Sequence, residues 1–321
     1  MELSLKEIYK DYFKIGAAVN IESVDTCKDL ILKHFNSITC ENAMKFDATE
    51  PEEGKFTFDD ADKIYGFARA NNIPVRGHNF VWHQANPEWL FQNADRETLL
   101  RRLENHVKAL AERYPDIYCW DCINEGILDD KDGYLRKTQW LEIVGEDYFN
   151  EAFKIAAKYV GGALFYNDYN EFDPIKREKI IRKVNEIRDS GARIDGIGLQ
   201  CHLNLNHSVD FDEIKRGIEE YAKLDYKLQI TEHDVSNYAR GDSEMHDGIT
   251  FEQYKRQTKI FKEFFKILRE YKNEIETVTF WGTADDTCWL NYFPVRGRKN
   301  GGLLFDENHE PKEGFYAICD F

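Results

Sequence analysis

Short apolar runs recur along the chain, and stretches with helical spacing separate them. The runs FKIGAAV (13–19), SIT (37–39), PVRGHNFVW (74–82), YCWDCI (118–123), ALFYN (163–167), IDGIGLQ (194–200), KLQIT (227–231) and TVTFW (277–281) read as eight strands. Between them, DRETLLRRLENHVKALAERYP (95–115) carries Leu99, Leu100, Leu103, Val107 and Leu110 at three-to-four spacing, with Pro115 after it. DPIKREKIIRKVNEIRDSG (173–191) opens with Asp173 as N-cap and Pro174 in the first turn, and Gly191 supplies the stop. FEQYKRQTKIFKEFFKILREYK (251–272) is a long amphipathic helix. At the N-terminus, Leu3, Leu5, Ile8, Tyr9 and Tyr12 form one face of a helix packing on the domain.

Strands alternating with helices imply a parallel sheet, and eight such units point to a (β/α)8 TIM barrel of the α/β class. An open doubly wound sheet is the rival. It usually carries a glycine-rich phosphate turn after the first strand, and GAAVN (16–20) is not one. No low-complexity linker divides the chain, so residues 1–321 are expected to form a single barrel domain.

In a barrel of this kind the reacting groups sit at the C-terminal ends of the strands. The polar residues here follow that rule. Glu41 and Asn42 end the second strand; His78, Trp82 and His83 the third; Asn124 and Glu125 the fourth; Asn167, Asp168 and Tyr169 the fifth; Gln200 and His202 the sixth; Glu232 the seventh; Trp281 the eighth. For one such residue, a salt bridge to a neighbouring loop explains enough. The company changes the balance. Two carboxylates, Glu125 and Glu232, end strands on opposite sides of the ring. Such a pair can bind a metal, share a proton, or flank a glycosidic bond, one as acid and the other as ionised nucleophile. The last role requires environments that push the two pKa values apart. His202 and Asp234 can form a chain that orients Glu232 and keeps it charged, and Trp82, Trp281 and Trp289 offer flat faces to sugar rings.

Charge narrows the substrate. With 43 basic against 59 acidic side chains, the net charge of −16 disfavours nucleic acid, anionic membranes and polyanionic substrates, and leaves neutral ligands unaffected. The short basic stretch RGRK (296–299) reads as a solvated rim loop, and Trp89 and Trp140 as packing residues. His78, His83, His202 and His233 show neither H-x-H nor H-E-x-x-H spacing, so no metal site is expected. Seven cysteines without a regular framework suit free thiols in a reducing cytosol, and Cys119 and Cys122, three apart in a strand, read as two separate thiols. No segment holds the ~18 uncharged apolar residues of a membrane span. The N-terminal stretch has acids at 2 and 7 and no apolar block of signal-peptide length, which makes a cytoplasmic location the expectation.

A set of strings now carries a resemblance. TCENAMKF (39–46), GHNFVWH (77–83), WDCINEG (120–126), FYNDYN (165–170), GIGLQCHL (196–203), ITEHDVS (230–236) and FWGTADDTCW (280–289) together resemble glycoside hydrolase family 10, the β-1,4-xylanases. GGLLFDENHEPKEGFYAI (301–318) is similar to that family's last barrel loop and helix. Asn-Glu alone is weak, since many barrel glycosidases share it; the full set, in order and across nearly the whole chain, is specific. The resemblance implies Glu125 as general acid/base and Glu232 as nucleophile, supported by Asp234. It implies that Asn124 contacts the 2-hydroxyl of the sugar before the cut, and that His78, Trp82, Gln200, His202 and Trp281 line that subsite. Glu41, Asn42 and Lys45 then hold the next sugar out, Trp289 roofs the non-reducing side, and Tyr169 lies near the leaving sugar. The implied mechanism is double displacement with retention, without metal or other cofactor, on xylan or xylo-oligosaccharides. A related retaining β-glycosidase acting on β-1,4-glucan or aryl β-glycosides is the alternative, and a non-catalytic carbohydrate-binding barrel would have lost one glutamate. In the cytosol the substrates would be short xylo-oligosaccharides, and one barrel can work as a monomer.

The chain departs from the family pattern in four places. The usual W-H-x-Q-x-P reads WHQANP, with Ala85 at the glutamine position and Gln84 one place early, which puts affinity for the second sugar from the cut in question. His233 replaces an apolar residue after the nucleophile and is expected to face a loop. Gly126 stands where a small apolar residue is usual, and Cys288 where a serine is. None removes a catalytic group.

Overall fold

The structure is a computed structural model that describes residues 3–205 and 209–321. Met1 and Glu2, at the head of the expected 1–321 domain, lie outside the described residues. The strands are β1 (Lys14–Val19), β2 (Ser37–Cys40), β3 (Val75–Gly77), β4 (Cys119–Asn124), β5 (Ala163–Asp168), β6 (Gly196–Leu199), β7 (His202–Asn204), β8 (Lys227–Ser236) and β9 (Ile275–Phe280). Strands β1 to β6 pair in sequence, β6 pairs β8, β8 pairs β9, and β9 returns to β1, all in parallel. Eight strands thus close a barrel, as the alternation predicts, and the open sheet is ruled out.

Two strands differ from expectation. The ladder expected over 74–82 breaks at His78 and Asn79, then resumes where Phe80 and Val81 donate to the Asp121 and Cys122 carbonyls (both 3.1 Å). The seventh barrel strand runs on to Ser236 because β7, which no periodicity marks, pairs with its second half, setting His202 opposite Asp234. That extension carries the polar end of β8 into a supported position.

Among the described residues, the main helix after each barrel strand is α1 (Lys28–His34), α2 (Asp59–Ala70), α3 (Arg96–Arg113), α4 (Tyr148–Tyr159), α5 (Pro174–Asp189), α6 (Phe211–Ala222), α7 (Phe251–Glu270) and α8 (Glu313–Cys319) in turn. α3 buries Leu99, Leu103, Val107 and Leu110, while Leu100 is half-buried at the edge of the stripe. Asp173 caps α5 by accepting from the Ile175 and Lys176 amides (2.9 and 3.0 Å), and Gly191 beyond its end has φ +80°. The N-terminal helix is only Leu5–Ile8. Leu5 and Tyr9 are buried, but Leu3 is exposed, because the face is too short to cover it.

Inside the barrel, fully buried Arg76 grips Asp121 through two hydrogen bonds of 2.5 Å and donates from Nε to Gln229 (3.0 Å). Asp121 also bonds His78 Nδ1 (2.8 Å). Removing one partner of such a pair costs about 3–5 kcal/mol, since it leaves the other charge stranded. The cluster ends at His78, which forms part of the floor of the rim. Cys119 points inward too, with its sulfur 3.6 Å from Gln229, and all seven cysteines are free. Among the described residues, no helix is long and apolar enough to cross a membrane.

Candidate active site

Glu125 and Glu232 stand at the mouth of this barrel. β4 delivers Asn124, whose amide donates to the Val81 carbonyl (2.8 Å), and the chain turns at once into Glu125. Glu125 has φ +56°, left-handed backbone that a glutamate rarely adopts, and its amide is held by the Asn167 carbonyl (2.9 Å). The turn frees the side chain from the strand direction. Gly126 follows because a Cβ there would run into the Phe149 ring and lie 2.8 Å from the Tyr148 hydroxyl. This departure from the family pattern is therefore a packing requirement of the turn.

A row of amides joins the two acids. Gln200 Nε2 donates to Glu125 Oε1 (3.0 Å) and to Asn124 Oδ1 (3.1 Å). Asn167 Nδ2 donates to the same Asn124 oxygen (2.9 Å) and to Glu232 Oε1 (2.7 Å), while Thr231 Oγ1 holds the other end of Asn167 (2.6 Å). On the opposite side, Trp82 Nε1 donates to Glu125 Oε2 (3.0 Å). Trp82 is fixed from behind, where Trp140 and Asn86 both donate to its carbonyl (3.0 Å each). Trp140 is thus a packing residue that supports the rim, and Trp89 packs edge-on against Phe46 with its indole on the Glu50 carbonyl (3.1 Å).

The two carboxylates differ in surroundings. Glu125 takes its hydrogen bonds from neutral donors: Gln200, Asn124 and Trp82. Glu232 is almost fully buried, and its second oxygen faces His202 Nε2 (3.3 Å), whose Nδ1 bonds Asp234 Oδ2 (2.9 Å). Burial works against the Glu232 charge, but the hydrogen bond from His202 and the charges of His78 and His202 outweigh it and hold the carboxyl below its ordinary range. Burial likewise opposes an imidazolium at His202, but the charge and hydrogen bond of Asp234, then those of Glu232, prevail and raise its pKa to about 10. Asp234 also accepts from Trp289 Nε1 (2.7 Å), so the same acid orients both the histidine and this indole.

The remaining residues named from the sequence lie around this pair. Lys45 rests 4.8 Å over the Trp82 ring and donates to Asn42 (2.7 Å); burial lowers its pKa, against the pull of Glu232, Glu41 and Glu125. Glu41 accepts from Asn20 (3.2 Å). Burial raises the Glu41 pKa, opposed by that bond and by Lys45. Trp281 meets His78 edge-on at 5.1 Å. Trp289 stacks on exposed Phe293 at 5.8 Å. Tyr169 donates to Asp129 (2.9 Å) and accepts from Arg136 (2.7 Å), which also holds the Glu125 carbonyl (2.7 Å). His83 Nδ1 is 3.9 Å from Glu125. Ala85 is half-buried with φ +52°, and Gln84 is exposed and turned to His83 (3.2 Å).

Sequence reasoning misplaced His233 and Arg298. His233 faces no loop: it is fully buried outside the barrel wall against Phe261, Phe264 and Phe280, bonding the Cys201 carbonyl (2.9 Å). Alternation sends it outward when Glu232 points in. Arg298, expected in a solvated loop, is buried over the Tyr238 ring and donates to Asp242 and to the Glu244 carbonyl. Asn20, Asn167, Arg136 and the Arg76–Asp121 pair were missed as supports. Only Asn167 gave a signal, as a polar strand end.

Comparison with known proteins decides the family. The model of glycosyl hydrolase family 10 matches residues 4–321. This chain belongs to glycosyl hydrolase family 10. Endo-1,4-beta-xylanase B of Paenibacillus barcinonensis is 46% identical over 98% of this chain and 97% of its own. A crystal structure of an endo-1,4-beta-xylanase from Caldicellulosiruptor owensensis superposes with TM-score 0.96, at 44% identity and full coverage of both chains. A mutant structure in complex with xylotriose superposes with TM-score 0.97 at 42% identity, again over the whole of both. The family is a retaining one, so its reaction needs an acid/base and a nucleophile on one rim, and the rim described above offers Glu125 among neutral donors and Glu232 beside His202.

Proposed function

We propose that the chain is a retaining endo-1,4-β-xylanase in which Glu232 is the nucleophile and Glu125 the general acid/base. The observation that carries this reading is the asymmetry of the pair. Glu232 is backed by the His202–Asp234 chain, whereas Glu125 sits among neutral donors. A nucleophile must be charged when the substrate arrives, and His202 favours that state. Glu125 protonates the leaving oxygen as Glu232 attacks the anomeric carbon, and then deprotonates the water that releases the covalent glycosyl-enzyme. That mechanism calls for carboxyls about 5–5.5 Å apart.

The sugar before the cut would lie on His78, Trp82, Gln200, His202 and Trp281, with its 2-hydroxyl on Asn124. Glu41, Asn42 and Lys45 would hold the next residue out under Trp289, and Tyr169 would meet the leaving side. The solved relative with xylotriose supports a β-1,4-xylose chain as the ligand class. The reading extends to residues 1–321 as one catalytic domain working as a monomer in the cytosol, on short xylo-oligosaccharides, a compartment that suits seven free thiols. A strong preference for polymeric xylan would count against the last point.

The test compares wild type, Glu125→Ala and Glu232→Ala on end-labelled xylotetraose, with cellotetraose alongside. Wild type should cut the xylose chain, and each variant should lose about 10³-fold or more in kcat. Equal or better cutting of cellotetraose would remove xylan as the substrate and leave the mechanism standing. No cutting of either would overturn the proposal.

A further inference from the structure

Among the described residues, a cluster of side chains of metal-ligating type lies apart from the carboxylate pair. Cys27 follows the short helix Ser23–Thr26 beyond β1, Asp286 lies in the turn Asp285–Thr287 beyond β9, and His309 sits in the loop before α8. His309 Nε2 is 3.4 Å from Cys27 Sγ and 3.1 Å from Asp286 Oδ2, and all three donor atoms lie within 4.8 Å of one another. We propose that Cys27, Asp286 and His309 form a zinc site, with water as the fourth ligand, that clips these three segments together.

The distances fit. Zinc bonds of about 2.3 Å to sulfur and about 2.0–2.2 Å to nitrogen and oxygen give a tetrahedron whose S–N and N–O edges are about 3.6 and 3.4 Å. The two separations measured here fall within about 0.3 Å of those edges. The chemistry selects the metal: a thiolate with an imidazole suits zinc and does not suit calcium or magnesium. The Thr283 hydroxyl reaches the Cys27 sulfur and favours its thiolate, while the Thr26 hydroxyl, 3.7 Å away, donates to the Glu22 carbonyl (3.1 Å). Asp286 and His309 keep side-chain exposures of 31% and 29%, which leaves an approach for the ion and its water. Without metal, burial first of all raises the thiol pKa, and the three groups simply hydrogen-bond. Binding replaces the Cys27 S–H proton, which leaves to solvent. The consequence reaches the rim, because Asp286 lies three residues before Trp289 in the same loop.

The experiment titrates the chelator-treated full-length protein with cobalt(II), then displaces cobalt with zinc. One cobalt per chain should appear with a thiolate-to-metal charge-transfer band and the visible bands of four-coordination, and zinc should bleach both. Cys27→Ser and His309→Ala should each lose the charge-transfer band and at least about 100-fold in affinity. Cys319→Ser, the least buried of the other thiols, should leave both unchanged. Zinc should raise the Tm of wild type and leave that of His309→Ala, a half-buried loop position, where it was. A wild type without the band, or a band that survives in His309→Ala, would overturn the proposal.

Discussion

The hydrogen bond from His202 to Glu232 supports the charge that the proposed nucleophile needs only while the imidazole keeps its second proton, and Asp234 keeps it there. The folded pKa of about 10 lies above the ordinary 6.5, so the stabilisation from this chain is fully present below 6.5 and is lost as pH rises through about 10. Urea unfolding should therefore show wild type's advantage over His202→Gln shrinking across that window; an advantage constant with pH would refute it. His233 next door behaves oppositely. Burial holds it neutral, mainly by desolvation, with a folded value of about 4 against 6.5. A depressed pKa means stability present above 6.5 and lost as pH falls towards 4, up to on the order of 3 kcal/mol. His233→Leu should flatten that acid limb, read as the slope of unfolding free energy between pH 6.5 and 4. At this scale the sequence shows the acids plainly, because a carboxylate ending an apolar run is conspicuous. It does not show Asn167 bridging Asn124 to Glu232, since that depends on how β4, β5 and β8 stand beside one another. Nor does Cys27 show any tie to His309, which lies 282 positions away.

Elements were legible where they have ends or periods. Asp173, Pro174 and Gly191 bracket α5 through local chemistry, and the strands appear because parallel barrel strands are buried on both faces. β7 was invisible because three half-buried residues have no period, although it braces the half of β8 that carries Asp234. Arg298 was misread because burial of a loop arginine depends on acceptors from a distant loop. The turn after β4 shows an element limiting its own site. A Cβ at Gly126 would strike Phe149 of α4 and come within 2.8 Å of the Tyr148 hydroxyl, so Gly126→Ala should cost about 1–3 kcal/mol. It should also lower kcat, because the strained backbone of Glu125 is the nearest part that can yield. Trimming the obstruction with Phe149→Leu in the same chain should restore part of both losses. An alanine variant with unchanged Tm and kcat would show that α4 can move aside.

The barrel as a whole carries a charge of −16, and the proposed substrate carries none. Long-range steering acts on charge, so the field of the molecule should neither attract nor repel a neutral xylo-oligosaccharide. Screening shortens from about 30 Å at 0.01 M salt to about 3 Å at 1 M, a range that removes nearly all action at a distance. The kcat/KM for xylotetraose should therefore change less than about two-fold over that range. A xylo-oligosaccharide bearing a uronic acid meets the same field as an anion, so its kcat/KM should start low and rise with salt as repulsion is screened. The local charges of the rim do not reverse this expectation. Lys45 and the His202 imidazolium stand among Glu41, Glu125, Glu232 and Asp234, within reach of short-range forces that salt screens weakly. If the neutral substrate alone showed a steep salt dependence, the rate would depend on an exposed ion pair at the rim, and the view of the field as a bystander for neutral sugars would have to be given up.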